Sequence, residues 1–274
     1  MIDSIHFSNA LTERFGLAVS ATAEQVSEGQ KIVIRPVDIE STISFQVALT
    51  LGWRTVSAEF KPGNFATALV KSMNAATPEQ KFAFAVFAGS LKSKGARVNL
   101  SFGQALVDAT TPESWPEDWP NITIRMKKVG VVLEKKSGYD FAAAFPWATG
   151  FFGMAMALLP LEEMPDDKLS GKEEGAHYFK RVKRYERSRI NRAACIEIHG
   201  TCCKICGFNF GKVYGELGEG FIHVHHIVPI SEMGGSYILN PGTDFVPVCP
   251  NCHAMLHRKQ TVVPPNELKM ILAM

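Results

Sequence analysis

The alternation of apolar and polar positions gives the first structural reading. In "TISFQVALTLGWRTVSAEF" (42–60) Ile43, Phe45 and Val47 fall on one face, then Val56, Ala58 and Phe60, with Gly52 between them. That period of two predicts a half-buried hairpin. "KIVIRPV" (31–37), "RVNLSF" (97–102) and "NITIRMKK" (121–128) predict three more strands. The period changes in "TPEQKFAFAVFAGSLKSKG" (77–95). Thr77 can N-cap, Pro78 suits the first helical position and Gln80 completes a capping box. Phe84, Phe87, Ala88 and Leu91 follow helical spacing, and Gly95 can end the helix. No internal repeat is present.

One stretch loses its period. "FAAAFPWATGFFGMAMALLPL" (141–161) has 21 residues without a charge, about the length that spans a bilayer. Pro146, Gly150, Gly153 and Pro160 interrupt it, and no basic cluster flanks it closely. It reads as a buried strand-turn-helix rather than a membrane span. "TTPESWPEDWP" (110–120) reads as a structured loop whose Trp115 and Trp119 plug the core edge. The alternative, stacking on a nucleic-acid base, has Glu113, Glu117 and Asp118 against it, because they would repel phosphates.

The polar segment "EEMPDDKLSGKEEGAH" (162–177) divides the chain. A mixed α/β domain is expected over 1–163, a linker over 164–176 and a second domain over 177–274, an α+β whole. Net charge changes at this boundary. Residues 1–163 carry 15 Lys+Arg and 16 Asp+Glu; the rest carry 14 and 11. "KRVKRYERSRINR" (180–192) alone holds seven basic residues and one acidic one. It runs into "RAACIEIHG", where Ile190, Ala194 and Ile198 fall at i, i+4 and i+8. A helix ending near Gly200 is expected, with Lys183, Arg184, Arg187, Arg189 and Arg192 as candidate DNA-backbone contacts.

All six cysteines lie in this second part: Cys195, Cys202, Cys203, Cys206, Cys249 and Cys252. The start "MIDSIHFSNALTERFG" has no signal-peptide pattern, so a cytoplasmic setting is expected and a disulfide framework is not. "CKIC" (203–206) and "CPNC" (249–252) are two C-x-x-C knuckles with 42 residues between them. Four thiolates can close a tetrahedral zinc shell, which is structural because it leaves no open position. Between the knuckles stands "HVHHIVPI", and directly after them "CHAMLHR". His253 and His257 are i, i+4 on a helix, so their rings point the same way. With a strand histidine they form a three-nitrogen site suited to a divalent ion such as Mg, Mn, Ni, Co or Zn. One of His225 and His226 faces that ion; its neighbour faces the other way and is free to act as a base. His223 shares a side with His225 by alternation and is a candidate catalytic residue that supports the site.

These residues carry a resemblance. "HHIVPI" followed by "LNPGTDFVPVCPNCHAMLHR" is similar to the HNH endonucleases, also called ββα-metal or His-Me finger nucleases. The wider string from "CKIC" to "HVHHIVPISE" resembles the HNH module of restriction-type nucleases, including modification-dependent ones. The resemblance covers residues 185–258 and implies a ββα-metal fold. It implies His226 as general base, with His225, His253 and His257 as metal ligands. Asp244 stands where the family has its middle asparagine, which braces the hairpin loop; an Asp can accept those backbone hydrogen bonds but cannot donate. No family is apparent for residues 1–163. The resemblance implies a metal-dependent phosphodiesterase acting on double-stranded DNA in restriction or defence, with the first domain choosing the target and no membrane partner. A homodimer is one arrangement that would cut both strands. The competing readings are a non-catalytic zinc module that binds nucleic acid and a nuclease activated by a ligand or partner.

Overall fold

The computed structural model describes residues 3–37, 39–131, 141–159, 189–227, 238–259 and 261–272. The chain divides into two compact units, Met1–Leu161 and Glu162–Met274.

The first unit is built on a seven-stranded antiparallel sheet. Its strands are β1 (Val19–Val26), β2 (Gly29–Pro36), β3 (Phe45–Gly52), β4 (Thr55–Pro62), β5 (Arg97–Phe102), β6 (Ala105–Val107) and β7 (Ile122–Val129). Their order is β1-β2-β3-β4-β7-β5-β6, so β7 inserts between two strands that precede it in sequence. The expected hairpin pairs Leu51 with Val56 around Gly52. Ile43, however, is 51% exposed in a turn before the strand begins, and β3 is buried on both faces over much of its length. The register therefore starts at Phe45, and Ile43 does not belong to the inward set.

Helices cover one face of this sheet. Helix α1 (Ser4–Phe15) is N-capped by the Asp3 carboxylate and ends at Gly16, where φ of 75° places the cap in the left-handed region. Helix α2 (Thr67–Asn74) is short. Helix α3 (Pro78–Ser93) has the full Thr77–Gln80 capping box and buries Phe84, Phe87, Ala88 and Leu91. The uncharged stretch forms one helix, α4 (Phe141–Ala157), rather than strand-turn-helix. Its aperiodic apolar pattern fits a helix packed on several sides, and length decides between the two readings. Phe152 meets both Phe15 and Phe45, and Gly153 lets the helix approach Phe87 so closely that a Cβ would lie 2.4 Å from its ring. No described helix is long and apolar enough to cross a membrane. Trp115 and Trp119 are buried against Phe102, and Trp115 Nε1 donates to the Asp108 carbonyl at 2.9 Å, so both serve the core.

In the second unit helix α5 (Arg189–His199) ends at Gly200, whose N–H returns to Ile196 O at 2.8 Å. Its buried face is Asn191 and Ala193–Ile196, while Ile198 is 44% exposed. The i, i+4, i+8 stripe is thus rotated from the expected one. A 3.6-residue turn drifts along the axis, and this helix is buried over a wide arc rather than along a narrow line. The short α6 (Phe210–Tyr214) leads to strand β8 (His223–His226), which pairs antiparallel with β9 (Phe245–Val248). Helix α7 (Pro250–Leu256) follows at once, and α8 (Pro265–Leu272) lies near the end. Strand, strand and helix in this order make the ββα unit. Ile196, Ile205, Ile222, Val248, Leu256, Val263 and Leu268 form its core together with Cys203, Cys249 and Cys252.

Candidate active site and metal centres

Two ligand clusters stand on this small scaffold. The first is Cys203, Cys206, Cys249 and Cys252, whose sulfur atoms all lie within 4.8 Å of one another. The Cys206 and Cys249 sulfurs are 3.7 Å apart. A zinc ion with Zn–S bonds of about 2.3 Å needs tetrahedral edges of about 3.8 Å, so the set fits a closed zinc shell. Cys249 caps α7, and its sulfur accepts the Cys252 N–H at 3.4 Å. Burial alone would raise the Cys203 thiol. The N–H groups of Cys206, Cys249 and Ile205 outweigh that and bring it down to about 7. Cys252 and Cys206 are both pushed up, by burial first and then by crowding among the four sulfurs. A divalent cation removes that crowding penalty, because it ionises the thiols it binds. Cys195 is buried apart from this set, in a small cluster with Leu239 and Phe245. Cys202 donates to Gly207 O instead.

The second cluster is His225, His253 and His257, whose ligand nitrogens also lie within 4.8 Å. Strand β8 supplies the first, α7 the second, and the residue that caps α7 the third. His257 Nε2 lies 3.2 Å from His225 Nδ1. Burial, reinforced by His257, His253 and His226, lowers His225 to about 3, and burial with His257 and His223 lowers His253 to about 4. Both are therefore neutral near pH 7, the form that ligates metal. Among the described residues Nε2 of His225 is buried without a hydrogen-bond partner, a costly state that coordination would relieve. This donor set fits a divalent ion with open positions.

Alternation on β8 turns His226 away from that cluster and onto Phe245, its cross-strand partner, with ring centroids 4.4 Å apart. Burial lowers it to about 4, against the Asp244 carboxylate, which pulls the other way. Both ring nitrogens are buried without a hydrogen-bond partner among the described residues. His223 packs edge-on to His253 at 5.2 Å, on the ligand side and away from His226. Burial and then Arg192 lower it.

Asp244 closes the loop before β9. Its carboxylate accepts Asn240 N at 2.7 Å and the Thr243 hydroxyl at 3.0 Å, while its carbonyl accepts Ile227 N at 2.8 Å. The acceptor-only side chain therefore finds donors for both oxygens. Arg192 donates to Ile222 O at 2.8 Å, tying α5 to the approach to β8. That bond inside the domain gives Arg192 a bracing part that its basic neighbourhood did not suggest. Arg189 is exposed at the first described turn of α5; Lys183, Arg184 and Arg187 lie outside the described residues. His199 was not singled out by sequence. Its Nε2 lies 2.9 Å from Gly242 O and links α5 to the Asp244 loop. Nothing near it in the sequence marks that bond, since 43 residues separate the partners. Asn240 was also missed, although the turn-rich "NPGTD" was a usable signal.

Residues 203–259 match the family model for HNH endonuclease. The second unit thus carries an HNH endonuclease domain with a four-cysteine zinc-type site. The chain is also similar to the type IV methyl-directed restriction enzyme EcoKMcrA of Escherichia coli strain K12, with 33% identity over 75 residues. That segment is 27% of this chain and 25% of the relative, so the chain spans about a quarter of the length of the relative it matches. No solved structure matches the chain.

Proposed function

We propose that the protein is a metal-dependent endonuclease that hydrolyses phosphodiester bonds in double-stranded DNA, in restriction of foreign or modified DNA. The first unit is assigned the choice of target. The observation that carries the reading is the two-sided β8. It directs His225 into a three-histidine cluster and His226 to the opposite face, within the residues that match the HNH model.

In this reading His226, neutral at pH 7, takes a proton from a water admitted to one of its ring nitrogens when substrate binds. The resulting hydroxide attacks phosphorus, and the bond to the leaving oxygen breaks. A divalent ion on His225, His253 and His257 would offset the charge building on the phosphate oxygens. Asp244 positions His226 by holding the loop beside it, and Phe245 packs on the imidazole. Arg189, exposed on α5, is proposed to contact the backbone, and Lys183, Arg184 and Arg187 are proposed to do so from the sequence; such contacts position the duplex without reading it.

Modified and unmodified plasmids incubated with the protein across several divalent ions test the proposal. His226→Ala should lower cleavage by about 10²–10⁴-fold and leave metal binding intact, because it removes a base and not a ligand. His257→Ala should lose the catalytic ion and recover partly at higher metal concentration. Absence of cleavage by the wild-type chain with every ion would favour a zinc-binding module without catalysis. Loss of metal on His226→Ala with retention on His225→Ala would reverse the two roles.

A further inference from the structure

The sheet of the first unit has a second face that its described helices do not cover. Ile32, Val47, Val56, Leu100 and Ile124 point into the core, so their strand neighbours point out. Those outward positions include Lys31, Arg35, Lys61, Arg97, Arg125 and Lys127. Only Glu24 and Glu59 oppose them on the described strands. Glu24 meets Lys31, and Glu59 meets Lys61 and Arg125, each at 2.8–2.9 Å. Between the cations lie Ala48, Thr50, Ser57 and Asn99, around an open depression of about 360 Å³.

Arg97 and Lys127 sit directly opposite one another across β5 and β7, both exposed. Like charges in that relation destabilise a sheet. Their pairing is costly unless an anion joins them. The cations run from β2 to β5, four strands apart, which is about 19 Å at ordinary strand spacing. A small anion would need a point; a strip of this width suits a charged polymer. No aromatic side chain occupies an outward position on the described strands, since Phe45, Phe60 and Phe102 all fall on the inward face, so the strands offer no platform for unpaired bases to stack on. The small residues in the depression leave room for a convex surface to approach.

We propose that this open sheet face binds the sugar–phosphate backbone of duplex DNA and is the surface by which the first unit engages the substrate. It rests on the nuclease reading above for the choice of polyanion. The test uses the full chain in the His226→Ala background, with anisotropy of a labelled duplex read across salt concentration. Arg97→Thr with Lys127→Thr removes two phosphate contacts. It should weaken binding by about 10–100-fold near 0.1 M salt and lower the slope of log K against log salt by about 2. The same pair should melt at or above the parent temperature, because a repulsion has been removed. Lys71→Gln with Lys81→Gln, on α2 and α3, should leave binding within about twofold. An unchanged affinity and slope would overturn the inference, as would an equal loss in the α2–α3 pair or single strands bound as tightly as duplex. Cleavage by the chain with His226 intact is read separately. Weakened binding with no cleavage by the parent would remove the nuclease reading and keep the surface. Intact cleavage with unchanged binding would do the reverse.

Discussion

Replacing Cys252 with serine tests how far the second unit depends on its four-sulfur site. The side chain is nearly the same size and is buried beside Cys249 in the core itself. A serine hydroxyl stays protonated at neutral pH and is a poor zinc ligand. Structural zinc contributes about 10–16 kcal/mol to folding small metal domains. An equal share among four ligands is about 2.5–4 kcal/mol for each one. At about 4–8 °C per kcal/mol for a domain of this size, the loss of one ligand should lower melting of the second unit by roughly 10–30 °C. Calorimetry on the full chain should show one transition moving and the other, from the seven-stranded unit, staying in place. Elemental analysis should find about one zinc per chain in the parent and much less in the variant. Cys202→Ser is the control, because a hydroxyl can keep the bond to Gly207 O and no cluster sulfur is touched. Parent protein free of zinc, or a Cys252→Ser variant that keeps its metal and melts with the parent, would refute the reasoning.

Acid should destabilise the second unit through its histidines. His225, His226 and His253 are lowered to about 3, 4 and 4 by burial, so the unfolded chain binds protons that the folded chain refuses below the ordinary histidine range. Stability should be full above about pH 6.5 and fall as pH drops toward 4, and His226→Gln should show a shallower fall in thermal melts between pH 6.5 and 5. An identical pH dependence would count against burial as the cause. Asp244→Ala should cost about 1–3 kcal/mol in denaturant unfolding, since it leaves Asn240 N and the Thr243 hydroxyl without their acceptor. It should also reduce cleavage with His226 still present, and full activity would remove the positioning role. Thr77→Ala should cost about 0.5–2 kcal/mol in the melting of the first unit alone, by removing the hydroxyl that accepts the Gln80 N–H; the Thr77 N–H to the Gln80 side chain remains.

Local rules were readable wherever the interaction itself is local. The capping box of α3 needs only Thr77, Pro78 and Gln80, and the chain carries all three in order. The hairpin register follows from alternation around Gly52, although Ile43 broke it because a turn holds the residues before Phe45. Each cysteine knuckle, the His225–His226 pair and the His253–His257 pair are likewise short-range patterns, since strand and helix periods set which side chains share a face. The tertiary structure alone decided which of these patterns meet. Pairing of β8 with β9 and the immediate turn into α7 bring knuckles 42 residues apart in sequence together, and set His225 beside His257. Insertion of β7 between β4 and β5 places Lys127 opposite Arg97 and Arg125 beside Glu59, relations invisible along the chain because sheet neighbours are chosen by backbone hydrogen bonding and not by sequence order. The uncharged stretch at 141–157 became a helix for the same kind of reason. Its apolar residues favour burial in either conformation, and the helices and sheet packed around it determined the one it adopts.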